Sequence, residues 1–425
     1  MHRIVARSTS GIGWSVPAGV ASPPRPFTFQ NHRRYPGKRH EAGEPEDNWT
    51  HPNDPSSLTL VDANAMVAGR YGTGALLSTP LVSVVIPVFN GVAVLRRCLT
   101  AVRTSDYANI ELVVVDDSST EPVEPLAKEF GARLIRLNGG PFGPAAARNA
   151  GARAASGEIL FFTDADCAVH PDTIRRIVET LADPAVDAVI GSYDDNPEDP
   201  AFLSQYKNLF HHWVHQQASA HASSFWTGCG GIRRDMFLAL GGFDAVRYRR
   251  PSIEDIELGV RLRARGGHIR LDPQIQVRHL KRWTFGGLIR TEIFDRGAPW
   301  TALMLRTREV PADLNLRPSE RVSALCAVSG VGGLALAPVW LPLGVVGAAL
   351  VATTLILSRR FYQFFAARRG IRFALRVVPL HLLYYLYSAA SVAIGVGWYV
   401  RDHVLTLARG ERSEAALRPG EPARG

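Results

Sequence analysis

The chain has 425 residues, a formal net charge of +9, and 46% hydrophobic against 20% charged residues, which supports two or three folded domains and excludes a chain disordered throughout. Its four cysteines (Cys98, Cys167, Cys229, Cys326) stand far apart with no C-x-x-C spacing. This argues against a disulfide framework and a cysteine-based zinc site, and fits a reducing compartment.

Residues 1–78 are rich in Pro, Gly, Arg, His and Ser without a sustained period, and read as a tail of low order. "STSGIGWSVPAGVAS" is too polar for the core of a signal peptide, and Met66 is an alternative start. From residue 81 the texture changes. Apolar β-branched runs at 81–87 and 110–117 flank a helix-like segment at 91–104. A strand-like 132–137, a helical 144–155 opening on Pro144, and a strand-like 158–166 follow. Buried strands alternating with helices predict an α/β layer architecture around a mostly parallel sheet. Farther on, the pattern predicts a long helix over 199–217, short strands near 225–232 and 268–279, and a helix near 254–265.

Two later stretches carry no Asp, Glu, Lys or Arg: 322–358 and 377–400. A bilayer span needs about 20 such residues. The first fits a hairpin turning at Pro338–Pro342 or a single span, and the second fits one transmembrane helix. Between them, 359–376 holds six arginines and no acid, interleaved with Phe and Tyr, and reads as an interfacial amphipathic segment on the cytoplasmic face. Residues 401–425 read as a polar tail.

Several motifs sit where an open sheet binds ligands, beyond the carboxyl ends of its strands. Pro87, Phe89 and Asn90 close the first strand, and Asp116 and Asp117 close the second. A core strand running into a turn, or a solvated Asx-turn, explains each pair equally well in isolation. Asp164 and Asp166 in "FFTDADC" are two apart past a buried strand, so both carboxylates point one way in extended geometry and suit Mg2+ or Mn2+. Glu254 and Asp255 open a helix, where Ser252-x-x-Asp255 also reads as a capping box. Glycines around Trp226 and Gly228 permit close backbone approach, and Trp226 could stack on a sugar ring. His211 and His215 have zinc spacing but no third ligand, and the acidic "SYDDNPEDP" (192–200) reads as a solvated loop.

In this order and spacing, "SVVIPVFN", "VVVDDSST", "GPAAARNAG" and "FFTDADC" resemble the inverting family 2 glycosyltransferases of GT-A fold, over residues 82–300. The resemblance implies a GT-A domain over 79–310, with a nucleotide-sugar half (79–197) and an acceptor half (198–310). It implies that Pro87, Phe89, Asn90 and Asp117 hold the nucleoside base with Asp116 in support. Arg148 and Asn149 would face the sugar diphosphate, and Asp164 and Asp166 would bracket Mg2+ or Mn2+. Asp255 would be the general base, supported by Glu254, with Trp226 and Gly228 on the acceptor side. His279-Leu280-Lys281-Arg282-Trp283 resembles the Q-x-x-R-W motif of processive members with His for Gln. By that match Arg282 would pair with diphosphate and Trp283 would be an acceptor platform.

The implied reaction moves a sugar from a nucleotide-diphospho-sugar to a hydroxyl of a lipid-linked or cell-envelope glycan, by single transfer. The implied location is the bacterial cytoplasmic (inner) membrane, with the catalytic domain facing the cytoplasm. Alternatives are a processive polysaccharide synthase, a non-catalytic nucleotide-sugar-binding protein, or a nucleotidyltransferase, though "PVFNGVAVL" lacks the phosphate loop the last needs. Nucleic-acid binding would rest on net charge and "RHLKRW" alone, and is set aside. Nothing in the sequence fixes an oligomeric state.

Overall fold

A computed structural model of the protein describes residues 79–312 and 314–416, so the expectation for residues 1–78 lies outside the described residues. Eight strands form one mixed sheet: β1 (Val82–Val88), β2 (Ile110–Asp116), β3 (Arg133–Arg136), β4 (Ile159–Thr163), β5 (Cys167–Val169), β6 (Ala188–Tyr193), β7 (Cys229–Arg233) and β8 (Ile269–His279). The order across the sheet is β3-β2-β1-β4-β7-β6-β8-β5. The amino-terminal half is parallel, with Val82 opposite Ile110 on one side and Ile159 on the other. β7 runs antiparallel to both β4 and β6, while β8 is parallel to β6.

Every residue of β4 and β6 is buried, as a strand covered on both faces requires. One face packs on α1 (Val92–Arg103), α2 (Val123–Glu129) and α4 (Thr173–Leu181), through Leu95, Leu99, Leu126, Ile174 and Ile177. The other packs on α3 (Pro144–Ala154), α6 (Arg234–Ala239) and α7 (Glu254–Ala264), through Ala147, Phe237, Leu258 and Leu262.

The long helix α5 (Phe202–Gln216) leaves the sheet and presents Tyr206, Leu209 and Phe210 to a third cluster, built with the carboxyl-terminal helices. After α8 (Phe285–Arg290), a π-helical turn (Thr291–Gly297) and α9 (Ala298–Thr307), the chain enters α10 (Pro318–Ala335). It turns over 336–340 into α11 (Leu341–Leu357), then α12 (Arg359–Arg369) and the 46-residue α13 (Ile371–Ala416). α10 and α11 lie side by side. A Cβ on Gly333 would come within 2.8 Å of the Leu343 carbonyl, so the close approach depends on small residues, as between membrane helices.

Among the described residues, Ile371–Leu405 is the one helix long and apolar enough to cross a bilayer; α11 and α12, bent by 59°, meet the same measure as a pair. At 1.5 Å per residue, α10 and α11 each measure about 26 Å, slightly short of a hydrocarbon core of about 30 Å. The segment read as interfacial does more than lie on a surface. Phe361 and Phe365 of α12 are buried against α5, Arg368 pairs with Asp195, and Arg369 donates to Gln205 Oε1 at 2.8 Å. The expected tail at 401–425 instead continues α13 as far as Ala416.

Candidate active site

The loops after β1 and β2 are stitched together. Asn90, at φ 58°, accepts hydrogen bonds from the Thr120 amide and hydroxyl, each 3.0 Å, and donates its own N–H to Ser119 Oγ at 2.8 Å. Pro87 precedes this loop near the end of β1, and Phe89 stands half-exposed above it. Asp116 is buried, accepting the Ser119 N–H at 2.8 Å with Arg136 at 3.4 Å. Asp117, expected at the nucleoside base, also holds protein backbone. Its two oxygens accept the N–H groups of Phe142 (2.9 Å) and Gly143 (2.7 Å), so the carboxylate fastens the loop that leads into α3.

Arg148 on α3 is the buried centre of the site. It donates to Asp164 Oδ1 at 2.6 Å and to Glu254 Oε1 at 2.8 Å, tying the D-x-D segment to the start of α7. Burial raises the pKa of Glu254 against the pull of Arg148, and the charge of Asp255 adds to the rise. Asn149, expected at the diphosphate, holds backbone in the same way. Its carboxamide donates to the Phe243 carbonyl and accepts the Phe243 N–H, both at 2.8 Å, and so clamps the "GGFD" turn.

Asp166 meets a partner from the far end of the sheet. Cys167 pairs with His279 across β5 and β8, which sets His279 Nε2 3.6 Å from the Asp166 carboxylate. His279 Nδ1 lies 2.7 Å from Asn208 Oδ1, and Nε2, at the other edge of the ring, faces Asp166. Tyr193 stacks on the ring, centroids 4.4 Å apart and planes 9° apart. Burial works against ionisation of Asp166, but His279 and Lys281 outweigh it and lower its pKa. Asp166, Cys167 and His279 bring three donor atoms within 4.8 Å of one another. Burial, then the Asp166 and Asp164 charges, push the Cys167 thiol well up, which holds it protonated. Asp166 and His279, with Asp164 alongside, are therefore the residues able to hold a divalent cation: carboxylate oxygen plus one neutral imidazole. The sequence reading placed His279 on the acceptor side; the β5–β8 pairing puts it beside Asp166 instead.

The capping box that the Ser252-x-x-Asp255 spacing allows at α7 does not form. Ile253 is the cap residue and no side chain bonds to the helix amides from it. The Ser252 hydroxyl donates to the Asp295 carbonyl at 2.7 Å, and its N–H donates to Glu254 Oε2 at 2.9 Å. Asp255 Oδ2 instead accepts the Thr227 N–H (3.1 Å) and hydroxyl (3.2 Å), while Oδ1 accepts the Ile256 N–H at 2.8 Å. Gly259 permits this approach of α7: a Cβ there would sit 2.3 Å from the Phe225 nitrogen. Gly228 accepts from Thr163 Oγ1 through its carbonyl and leaves room for the Trp226 ring beside it. Asp255 and Trp226 together line a cavity of about 530 Å³.

The "RHLKRW" segment divides. Arg282 is 78% exposed, 3.8 Å from Asp199, and reaches none of the residues above. Trp283 packs against the cluster of α5 and the carboxyl-terminal helices, with Lys281 4.5 Å over its ring. Neither lines the cavity, and the Trp283 ring, expected as an acceptor platform, is held in the α5 packing. His215 donates Nδ1–H to the Gly191 carbonyl at 3.0 Å, and His211 Nε2 accepts from Arg296 at 3.0 Å. The acidic run 192–200 is solvated only in part, with Asn196 and Glu198 exposed. Asp194 is buried between His170 (3.0 Å) and Arg278 (3.1 Å).

The description "Glycosyl transferase family 2" matches residues 83–241. This chain carries a family 2 glycosyltransferase domain. The family match covers the donor-side loops and the D-x-D segment and ends before Asp255 and His279. Glycosyltransferase AglE of Haloferax volcanii is 36% identical over 121 residues, 27% of this chain and 40% of that protein. Validoxylamine A glucosyltransferase of Streptomyces hygroscopicus subsp. jinggangensis is 29% identical over 229 residues, 45% and 54% of the two chains. The chain thus spans about half, or less, of the length of these curated relatives. Among solved structures, the mannosyltransferase PcManGT of Pyrobaculum calidifontis, in complex with GDP-Man and Mn2+, superposes with a TM-score of 0.51 at 20% identity. That likeness covers 75% of this chain and 88% of the other, and shows a shared GT-A fold.

Proposed function

We propose that the protein is a membrane-bound inverting glycosyltransferase that moves one sugar from a nucleotide-diphospho-sugar to a hydroxyl of a lipid-linked or cell-envelope glycan. The observation that carries this reading is the placement of Asp255: fixed by Thr227, joined through Glu254 and Arg148 to Asp164, and open to a cavity. Asp255 takes the acceptor hydroxyl proton as that oxygen bonds to the anomeric carbon. The bond from that carbon to the diphosphate oxygen breaks, and the nucleoside diphosphate leaves. Arg148 holds Asp164 and Glu254 in place. Lys281, close enough to help keep Asp166 ionised, is the cation for the departing diphosphate in place of Arg282. When bound by Asp166 and His279 beside Asp164, Mn2+ or Mg2+ would supply charge neutralisation for the diphosphate oxygens. The imidazole ligand favours Mn2+ over Mg2+.

The seating of the Trp283 ring in the α5 cluster, outside the cavity lining, favours single transfer over processive synthesis. The apolar length of α13 and the arginines of 359–376 support an inner-membrane location with the catalytic domain in the cytoplasm. A donor screen tests the proposal: purified full-length protein with Mn2+ should release nucleoside diphosphate from one donor when a lipid-linked acceptor is added. Release from no donor, or a ladder of long chains from one, would overturn it.

A further inference from the structure

The cavity beside Asp255 does not end at the glycosyltransferase domain. It continues past the π-helical turn into the carboxyl-terminal helices. At the inner end stand Ser224, Trp226 and Asp255. A polar knot crosses the middle: Glu292 on the turn lies 2.8 Å from Lys207 and 3.8 Å from Arg296, and Arg296 donates to His211. Beyond it the walls are mostly apolar, formed by Trp300, Met304, Val328 and Val392. Leu325 and Val392, 69% and 49% exposed, belong both to this wall and to the outer apolar surface of α10 and α13. α13 is also the helix long and apolar enough to cross a bilayer. A soluble oligosaccharide needs polar partners along its whole length, and these walls offer them only in places, such as Glu320, Arg321 and Tyr384. The volume lies within the roughly 300–1,000 Å³ of pockets that enclose a ligand.

We infer that the acceptor is itself a long-chain amphiphile: its aliphatic chain enters between α9, α10 and α13 and fills the apolar part of the cavity, and its polar head crosses the Lys207–Glu292–Arg296 knot to set a hydroxyl at Asp255. This rests on the glycosyltransferase reading for what happens to the hydroxyl, but the seat for the chain stands on the cavity alone. The chain-lining residues thus act as the specificity element for the acceptor, and Asp255 as the residue that touches the reacting hydroxyl. The two glutamates differ in part: Glu292 belongs to the knot, while Glu320 accepts a hydrogen bond from the Tyr385 hydroxyl at 2.9 Å.

The test uses the full-length protein in nanodiscs and a photoreactive diazirine-bearing long-chain alcohol, with no donor present. The label should map to peptides containing Trp300, Met304 and Val328, and excess unlabelled long-chain alcohol should protect them. Leu325→Trp, at an exposed site where the fold is not at risk, and Ala389→Trp, where α13 lines the cavity, should both reduce that labelling. In the transfer assay the same variants should raise KM for a long-chain acceptor roughly tenfold, while donor hydrolysis in water is unchanged. Labelling confined to the outer helix surfaces and insensitive to both variants would overturn the inference. So would equal transfer to a chain-free glycan and to the same glycan on a long aliphatic chain. If the cavity is labelled but no acceptor receives a sugar, the chain seat stands and the transferase reading fails.

Discussion

Asn208 Oδ1 lies 2.7 Å from His279 Nδ1, and this contact decides what the imidazole presents to Asp166. The bond holds the ring with Nε2 turned toward the carboxylate, where both can reach one cation. Asn208→Ala should therefore weaken Mn2+ binding about 10- to 100-fold, as loss of an orienting partner does at other metal sites. Electron paramagnetic resonance titration of purified protein reads this directly, and an unchanged affinity would remove His279 from the proposed metal site.

Arg148 is shared by Asp164 and Glu254, and both it and Glu254 are buried. Arg148→Ala leaves two carboxylates without their cation and should cost about 3–5 kcal/mol of stability. Arg148→Ala combined with Glu254→Gln should recover part of the loss, because the stranded charge is gone. Thermal unfolding of the three detergent-solubilised proteins checks this; equal midpoints for the single variant and the wild type would contradict it.

Thr227 gives Asp255 Oδ2 two hydrogen bonds, and Thr227→Val removes one while keeping the N–H and the side-chain shape. The expected result is a fall of about tenfold in kcat with little change in donor affinity, as fits one lost bond to a charged group. A change in KM for the donor alone would place Thr227 in the donor site instead.

His215 makes acid destabilising. Burial pushes its pKa from 6.5 down to about 4, while its bond to Gly191 opposes the shift. The unfolded chain takes up the proton first, so stability falls as pH drops from about 6.5 toward 4 and is fully present above that window. The single site is worth roughly 3 kcal/mol at the low end. His215→Gln should flatten the drop in thermal midpoint between pH 7 and pH 4.5; an identical drop would show that other groups carry it.

The strands β1 to β4, the D-x-D segment and the pairing of acids at 254–255 were legible because each leaves a local mark: an apolar run, a spacing, a helix start. The partners of those residues were not. His279 reaches Asp166 only because β5 and β8 pair antiparallel at the sheet edge, a register that no local pattern specifies. Asn208 and Lys207 look like ordinary polar positions on α5 until that helix is placed between the sheet and α12–α13. The bonds of Asp117 and Asn149 were hidden for another reason: their side chains hold backbone groups 25 and 94 residues away. Tyr193 had one usable signal, its position at the carboxyl end of an apolar strand, where Asp116 and Thr163 also stand.

The most direct test of the central claim compares wild type with Asp255→Asn, measuring acceptor-dependent release of nucleoside diphosphate beside donor affinity. The account predicts that Asp255→Asn binds the donor as wild type does and loses transfer by about 10²–10⁴-fold, the usual contribution of a general base. Near-full transfer by Asp255→Asn with the same donor would contradict it.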